Sequence, residues 1–550
     1  MPRLIYIYTT LFFLSFVACR QGPQDSDTIT VKILDETGQL TAARLRFTDM
    51  NGSYFAPDSH QADFPLTHTS DLIGEEADVM MDENRRFAYV EGQFTIHLPI
   101  DSVRLEVIKG FRYAIYDDTI VMSTLPKRRV DIQLRKAFDL PDKGWYSGDV
   151  HVHFLNPKSA MLEMKAEDLN ICNVLISDFT IDHERFRGDI EPISEPEHLL
   201  YMGQEYREDR LGHVNLLNLQ EKLIEPSKMP RKHQYPLNLQ ASDEIRQQGG
   251  HISWAHFAAW PGLEGPLGIV LKKVDAVELL CTIDPFHEPI FVSDVVPEVQ
   301  MNSGLRLWYR LLNCGLQIPA TAGTDKMNNQ VTVGANRVYA KVEGEFTYDN
   351  WVEALNQGRT FVSNSPFLRF QVGEAGVGSV LNPSAGQQLQ LHAEVWSQLP
   401  IDRLEIIANG ELVAEKAIPK GSKHARLSIS YQANKSSWIA ARAYQFSRPD
   451  ARKGLSTAQR RDAGGGPTQL NRYFGTLRPE TTFAHSSPIY VLVGGRPIRS
   501  RVDADYFVRY LENARDWLEN FGSFPSDTAK TEVLAAFEEG KRAFGKLRGD

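Results

Sequence analysis

The sequence predicts an α/β protein in which a central α/β barrel, or a related parallel sheet, is flanked by two β-sandwiches and followed by a helical tail. Residues 138–370 alternate short apolar runs with helical stretches, which is typical of strand–helix units. Residues 28–137 and 371–500 alternate apolar with polar residues, as half-buried strands do. Residues 501–550 carry apolar residues at helical spacing. A chain of 550 residues has room for about three domains.

The composition is that of an ordinary folded protein, with 42% hydrophobic and 24% charged residues. Lys and Arg number 60 against 70 Asp and Glu, so the formal net charge is −10 at pH 7. The sequence has no clustered basic stripe, which is the usual footprint of a nucleic-acid-binding surface. Nucleic acid is therefore not expected as a partner.

The first segment, residues 1–19, resembles a bacterial lipoprotein export signal. Arg3 precedes an apolar run whose length suits a signal-peptide core rather than a membrane span. The run ends in FVAC, and the resemblance implies cleavage before Cys19 and lipidation of its thiol; an ordinary secretory signal is the alternative. Residues 20–27 form a polar tether. We expect a protein of the periplasm or cell surface that contacts the membrane through its lipid anchor only.

The remaining cysteines, Cys172, Cys281 and Cys314, lie in apolar runs and include no C-x-x-C pair. This pattern predicts buried free thiols that behave as small apolar side chains. None of these three cysteines has a basic or histidine neighbour in sequence that would lower its pKa, so a thiol or redox enzyme is the least favoured function.

Both β-sandwiches are predicted from alternation. In the N-terminal domain, RLRF at 44–47 and VRLEV at 103–107 place their apolar residues on one face. In the C-terminal domain, Asn409-Gly410 follows an alternating run and is a strong hairpin signal. Residues 446–483 form a long polar loop with three consecutive glycines, and loops of this length are uncommon unless they are functional or disordered.

One motif in the α/β region points to metal chemistry. In SGDVHVHF at 147–154, His151 and His153 share a face of the predicted strand, as two metal ligands on one strand must. Alone, a His-x-His pair is weak evidence. Further candidate ligands lie at the ends of other predicted strands: Asp178, Glu205, His213, His256 and Asp325. The carboxyl ends of barrel strands converge on one mouth, so these side chains predict one shared site.

The residues of these motifs and their order along the chain resemble those of the polymerase-and-histidinol-phosphatase (PHP) superfamily, and specifically of its carbaryl-hydrolase-like (CehA/McbA) branch. The similar segments are GDVHVH, GQEYREDRLGHVNLL, GGHISWAH, RLLNCGLQIPATAGTD, GANRVYA and GRTFVSNSP, which together span roughly residues 144–366. The resemblance implies a distorted seven-stranded β/α barrel that holds one to three metal ions.

Position by position, the resemblance implies a first metal site built from His151, His153, Glu205 and Asp325. It makes Glu205 the bridge to a second ion and His213 and His256 further ligands. Asp325 would position the nucleophile and move its proton, and His213 or His256 would hold the second ion or protonate the leaving group. Two imidazoles and two carboxylates suit zinc, manganese or iron, and we favour zinc in one or two copies.

The sequence departs from the family where Phe179 and Met327 occupy positions that are often His. Neither side chain suits a hard divalent ion, so a third metal site is expected to be missing. His183 is a candidate substitute, although a loop histidine is usually solvated. Lys326 is a candidate fixed charge in place of a metal, or else a surface lysine. Asp149 is expected to support the site rather than bind an ion.

The leading interpretation is an exported hydrolase in which metal-activated water cleaves a phosphoester or a carboxyl or carbamate ester of a small-molecule or glycan-linked substrate. Fold alone does not decide between these bonds. The alternative is a catalytically degenerate, surface-anchored module that binds glycans or proteins and keeps a structural metal in a closed four-ligand site. Arg337, Tyr339 and the segment Arg359 to Pro366 either contact substrate or close the barrel, and closure is favoured.

Overall fold

The computed structural model describes residues 26–62, 78–81, 85–99, 101–140, 143–180, 183–227, 231–281, 295–296, 303–446 and 481–549. The predicted signal with Cys19, nearly all of the tether and nearly all of the loop 446–483 lie outside these residues. Within the described ranges, no helix is both long enough and apolar enough to cross a membrane.

Two sheets that share one apolar core form the N-terminal part. Their orders are β6-β1-β9 and β4-β5-β2-β7-β8, with β3 paired to β2. Val31, Phe47 and Val103 point inward from both sheets and are fully buried, as the alternating sequence predicts. The strands are β1 (Ser26–Leu34), β2 (Ala43–Thr48), β3 (Tyr54–Phe55), β4 (Val79–Met81), β5 (Arg85–Val90), β6 (Gln93–Pro99), β7 (Ser102–Ile108), β8 (Tyr116–Val121) and β9 (Arg129–Gln133).

A large curled sheet follows, in which β10 to β16 are neighbours in chain order. An isolated parallel bridge from Val152 to Lys326 joins the first of these strands to the segment after the last, so the sheet curls back on itself. The strands are β10 (Trp145–Val152), β11 (Ile171–Ile176), β12 (Leu199–Glu208), β13 (Gly212–Leu217), β14 (His251–Trp254), β15 (Ala276–Leu280), β16 (Ala320–Ala322), β17 (Arg337–Lys341) and β18 (Thr360–Ser363).

The curled sheet is mixed rather than parallel, which corrects the expectation of a parallel barrel. Strands β10, β11 and β12 are parallel, as are β14, β15 and β16, but β13 is antiparallel to both of its neighbours. The physical reason is the short link 209–211 between β12 and β13, because a parallel crossover needs a dozen or more residues.

Helices between the strands cover the curled sheet. They are α1 (Pro157–Ala166), α2 (Ser242–Gln247), α3 (Gly265–Val270), α4 (Gly304–Asn313) and α5 (Tyr348–Asn356), with 3-10 turns at Met122–Thr124, Pro126–Arg128, His183–Arg185, Asn238–Ala241 and Val493–Gly495. Asn156 caps α1 by accepting hydrogen bonds from the backbone of Lys158 and Ser159. Trp351 of α5 is fully buried against Gly148, where a Cβ atom would lie 2.2 Å from the indole.

The C-terminal sandwich shares a sheet with the barrel region, which the alternation pattern did not predict. Strand β18 pairs with β27, and the sheet continues through β26, β23 and β24; a second sheet has the order β20-β19-β22-β25. Asn409 and Gly410 both have positive φ and join β23 to β24, which confirms the predicted hairpin. The strands are β19 (Phe367–Val372), β20 (Ala375–Gly376), β21 (Val380–Leu381), β22 (Gln387–Trp396), β23 (Arg403–Ala408), β24 (Glu411–Ala417), β25 (His424–Ala433), β26 (Ser437–Phe446), β27 (Thr481–Ser486) and β28 (Ile489–Val491).

The tail forms two helices, α6 (Arg501–Phe521) and α7 (Asp527–Gly545), whose apolar stripes pack on the barrel region. Phe507 and Tyr510 are fully buried, and the Tyr510 hydroxyl donates a hydrogen bond to the carbonyl of Gly262 at 2.5 Å. Within the described residues, this apolar stripe is therefore used for packing on the body of the protein.

Charged side chains join the N-terminal sheets to the barrel region around the end of α1. Glu167 accepts hydrogen bonds from Arg44 Nε at 2.6 Å and from the Tyr89 hydroxyl at 2.9 Å. Arg337 is buried, stacks over Phe111 at 4.0 Å and donates to the carbonyl oxygens of Gly334 and of residues 167 and 168. Arg337 therefore closes the barrel region against the N-terminal part, as favoured from the sequence.

Glu264, the residue before α3, is a fully buried carboxylate that supports the 3-10 turn Asn238–Ala241. It accepts backbone hydrogen bonds from Asn238 at 2.9 Å and Leu239 at 2.6 Å. Burial raises its pKa from 4.5 to about 7. The folded chain therefore keeps this proton up to about pH 7, whereas the unfolded chain releases it near pH 4.5. Because the folded state binds more protons between these values, this group lowers stability as the pH rises.

We expect Glu264→Gln to gain stability relative to the wild type as the pH rises through this window, since glutamine has no proton to lose. The gain should reach up to about 3 kcal/mol, at about 1.4 kcal/mol per pH unit. Urea unfolding of both proteins at about pH 4 and about pH 8 measures the difference. A difference that does not change with pH would contradict the prediction.

Candidate metal centre

Two histidines at the end of β10 face each other with their Nε2 atoms. The Nδ1 atom of His153 lies 2.9 Å from the carbonyl oxygen of Leu175, and Nδ1 of His151 lies 3.1 Å from Oε2 of Glu278. Both neighbours are acceptors, which assigns the proton to Nδ1 in each ring and leaves a lone pair on each Nε2. These Nε2 atoms lie 3.1 Å apart. Two buried lone pairs at this distance repel unless a proton or a metal ion lies between them.

Two carboxylates converge on the same pair of nitrogens. Glu205 Oε1 lies 3.8 Å from Nε2 of His151, and Oε2 lies 3.5 Å from Nε2 of His153. Asp325 Oδ1 lies 3.4 Å from the first nitrogen and 3.8 Å from the second. The structure thus brings together the four side chains that the sequence predicts for a first metal site. His151, His153 and Glu205 form a group that could hold a metal ion.

The other two predicted ligands also meet at Glu205. His213 Nδ1 lies 2.8 Å from Glu205 Oε1 and 3.1 Å from His256 Nε2. His256 Nε2 lies 3.9 Å from the same carboxylate oxygen. Glu205, His213 and His256 form a second group that could hold a metal ion. Because Glu205 belongs to both groups, its side chain is placed to bridge two ions.

The centre is buried but reaches the surface at one ligand. Asp325 is 21% exposed, whereas the His151 and His153 side chains are fully buried. Burial alone would lower the pKa of His151, but the carboxylates of Glu278 and Asp325 raise it to about 10. Burial alone would raise the pKa of Glu205, but His213 holds it well below its usual value. The carboxylates thus place a negative potential on the imidazoles, which a metal cation would compensate.

Two candidate ligands hold a backbone conformation that is unusual for residues with side chains. His256 has φ 34° and Asp325 has φ 48°, both in the left-handed region. Such conformations cost about 1–3 kcal/mol and persist where surrounding contacts fix them. Here the backbone N–H of His256 donates to Glu278 at 2.6 Å, and that of Thr324 donates to Asp149 at 3.0 Å.

Asp149 supports the site from outside the ligand groups. The register of β10 shifts between Asp149 and Val152, so the regular alternation of side chains is interrupted between Asp149 and the histidines. It accepts hydrogen bonds from the backbone of His151 at 3.0 Å, the hydroxyl of Thr324 at 2.7 Å and the backbone of Gly334 at 2.8 Å. Asp149 therefore holds the backbone next to two candidate ligands, which is the arrangement that a supporting role requires.

Sequence reasoning missed Glu278, a fully buried carboxylate on β15. It contacts the His151 ring and the His256 backbone N–H through the same oxygen, Oε2. Its signal in the sequence is modest: it is the one charged residue of the strand AVELL, where burial makes a charge costly.

The positions that depart from the family have other contacts. The Phe179 ring lies 5.1 Å from the His153 ring, and the Arg207 guanidinium lies over its face at 5.1 Å. The Lys326 ammonium donates to the Val331 carbonyl and lies 3.5 Å from Glu163 of α1. Neither of these partners is a candidate ligand, and Lys326 is fully buried, so it is not a surface lysine. Among the described residues, His183 belongs to no group that could hold a metal ion.

The three cysteines of the folded part are buried, and Cys172 and Cys314 are free thiols. Burial raises the pKa of Cys314 to about 12, which removes thiolate reactivity at neutral pH. Cys281 lies with His151 and Glu278 in a third group that could hold a metal ion.

No protein-family model matches this chain, and no curated protein matches it significantly. The functional interpretation therefore depends on the motifs of this sequence and on the geometry of the centre.

Proposed function

We propose that this protein is a metal-dependent hydrolase of the PHP superfamily, in its carbaryl-hydrolase-like branch, that cleaves a phosphoester or a carboxyl or carbamate ester. The observation that carries the proposal is the convergence of two imidazole pairs on one carboxylate, Glu205, with Asp325 beside the first pair. His151, His153, Glu205 and Asp325 would hold the first ion. Glu205, His213 and His256 would hold the second, with zinc favoured over manganese or iron.

The protein's own residues supply position and proton transfer. A bound divalent ion lowers the pKa of water towards neutrality and polarises the oxygen under attack. The Asp325 side chain is 21% exposed, so its carboxylate can contact the first ion and also an incoming substrate. It would orient the attacking water and take its proton. His256 and His213 would protonate the leaving group in a mononuclear form of the centre.

The mouth of the centre combines aromatic rings with one guanidinium. Trp260 lies 4.7 Å from the His213 ring and stacks on His256, and Phe179 contacts His153 on the other side. Arg207 follows Glu205 by two residues on β12, so both side chains lie on one face of the strand. A substrate with an apolar or ring-shaped body and an ester group suits these surroundings.

A binding module with a structural metal is less well supported. Structural zinc sites are closed by four protein ligands, and their ligands are shielded from solvent. Here the candidate ligands offer more than four donor groups around Glu205, and Asp325 is exposed to solvent. Export and lipidation at Cys19 remain part of the proposal, and they depend on the signal-like segment 1–19.

The test is metal content followed by turnover. The purified chain is reconstituted with zinc, manganese or iron(II), its ions per chain are counted, and it is assayed on 4-nitrophenyl phosphate, bis(4-nitrophenyl) phosphate and 4-nitrophenyl acetate. We expect one or two ions per chain and metal-dependent hydrolysis of either a phosphoester or a carboxyl ester. The matched control is His97→Ala, which removes a 61% exposed histidine outside the centre and should change neither result.

Two outcomes would contradict the proposal. A protein that takes up no metal would mean that the histidine pairs are not a metal centre. A protein that binds metal tightly but hydrolyses none of these esters, even at high concentration, would support the structural-metal alternative.

A further inference from the structure

We propose that Glu278 is the positioning residue that fixes both halves of the metal centre through one oxygen. The proposal rests on the proposed metal centre but assigns a role to a residue outside its ligand set. Glu278 lies in the middle of β15, is fully buried, and contacts one histidine from each half.

The first contact sets the orientation and tautomer of His151. Glu278 Oε2 lies 3.1 Å from Nδ1 of the ring, so the carboxylate accepts the Nδ1 proton. The Nε2 lone pair is then directed towards His153, Glu205 and Asp325. A carboxylate that holds a ligand imidazole in this way also makes the ring a stronger donor to a metal.

The second contact sets the position of His256. Its backbone N–H donates to the same Oε2 atom at 2.6 Å, which is a short, charge-assisted hydrogen bond. This bond holds His256 at φ 34°, a conformation that a residue with a side chain rarely adopts. The imidazole of His256 is thereby held 3.1 Å from His213 and 3.9 Å from Glu205.

The chain makes room for this carboxylate at Gly323. A Cβ atom at that position would lie 2.4 Å from Oε1 of Glu278 and 2.6 Å from Cβ of His151. Any larger residue would displace the Glu278–His151 pair. Because Gly323 has no side chain, Glu278 has the space to reach both histidines.

A ligand role for Glu278 is the competing explanation, because Cys281 groups with His151 and Glu278 around a possible ion. Positioning is favoured because Oε2 already accepts from two N–H groups, and because an ion there would require His151 to give up its Nδ1 proton. Replacement of Cys281 separates the two explanations, since only a ligand role involves the thiol.

The experiment compares Glu278→Gln, Cys281→Ala and the control Glu264→Gln in the full chain. Glu264 is a matched control because it is also a fully buried carboxylate that accepts backbone hydrogen bonds, away from the centre. Zinc affinity is measured by competition with a chromophoric chelator, and ions per chain are counted at saturation. Histidine tautomers are read from long-range ¹H–¹⁵N spectra with and without zinc.

We expect Glu278→Gln to weaken zinc binding about 10- to 100-fold, which is usual for loss of a group that supports a ligand, without lowering the ion count at saturation. The Nδ1–H signal of His151 in the zinc-loaded protein should shift upfield, because an amide oxygen is a weaker acceptor than a carboxylate. The two other variants should leave both readouts unchanged. If Glu278→Gln fails to fold, Glu278→Asp replaces it in the experiment. This variant keeps the negative charge but moves the carboxylate oxygen away from both N–H groups, so the same readouts should change in the same direction.

Other results would overturn the proposal. Unchanged zinc affinity and an unchanged Nδ1–H signal of His151 in both Glu278→Gln and Glu278→Asp would exclude a positioning role. An ion count that falls by one in both Glu278→Gln and Cys281→Ala would make Glu278 a ligand of a further ion. If the wild type binds no zinc, the proposed function is contradicted, but the role of Glu278 is not. The Nδ1–H signal of His151 in the metal-free spectra then still decides whether Glu278 accepts from this ring.

Discussion

Replacement of Glu205 by Gln is expected to abolish metal-dependent activity and to weaken both halves of the centre together. Glu205 contacts all four histidines of the two groups, at 3.8 Å and 3.5 Å on one side and 2.8 Å and 3.9 Å on the other. The amide removes the negative charge between them and replaces one acceptor oxygen with a donor. Loss of a group that only supports a ligand costs about 10- to 100-fold, so removal of a bridging ligand should cost more than about 100-fold in affinity and in turnover.

The measurement is ions per chain and kcat/KM after reconstitution, with Glu208→Gln as the control. Glu208 lies on the same strand but accepts hydrogen bonds from the backbone of Arg210 and Leu211, outside the centre. The control should retain its metal even where its stability changes. If Glu205→Gln kept a full complement of ions and wild-type turnover, the bridging role would be wrong.

Replacement of Arg44 by Met is expected to destabilise the protein by about 3–5 kcal/mol, the usual cost of leaving one member of a buried ion pair without its partner. Arg44 and Glu167 are 0% and 1% exposed, and Arg44 Nε lies 2.6 Å from the carboxylate. In the variant, the Tyr89 hydroxyl still donates to Glu167 at 2.9 Å, but the carboxylate charge stays buried without its cation. Urea unfolding followed by circular dichroism measures the loss.

Arg104→Met is the matched control on a neighbouring strand. Arg104 pairs with Asp117 at 2.6 Å, but the two side chains are 42% and 29% exposed. An exposed pair of this kind contributes about 1 kcal/mol or less. The double variant Arg44→Met/Glu167→Gln should recover part of the loss, because it removes the buried charge as well. Equal effects of Arg44→Met and Arg104→Met would contradict the assigned role of the buried pair.

The candidate ligands could be predicted because each lies in a local pattern that a strand imposes. His151 and His153 share a face through the period of two, and Glu205 and His256 lie at or beyond the ends of apolar runs. Their grouping followed from the tendency of strand ends to collect at one mouth. Asn409-Gly410 was predictable for a similar reason, since its turn type is set by two adjacent residues.

Glu278 was not predictable from its own segment. Nothing in AVELL indicates that its carboxylate meets a histidine from β10 and a backbone N–H after β14. The reversed direction of β13 also differs from the expectation, because strand–helix alternation over a long region predicts parallel strands, whereas the short link after β12 permits only an antiparallel neighbour. Both features depend on how distant strands are placed beside one another.

The sequence by itself determined the elements and the chemistry available to this protein: strand periodicity, turn residues, helix stripes and the set of His, Glu and Asp side chains at strand ends. These are properties of neighbouring residues and of local sterics. Only the tertiary structure decided that Glu278 holds one member of each imidazole pair and that Lys326 pairs with Glu163. The reason is physical. Which buried charges meet depends on the curl and register of the sheet, and these are fixed by packing over the whole chain.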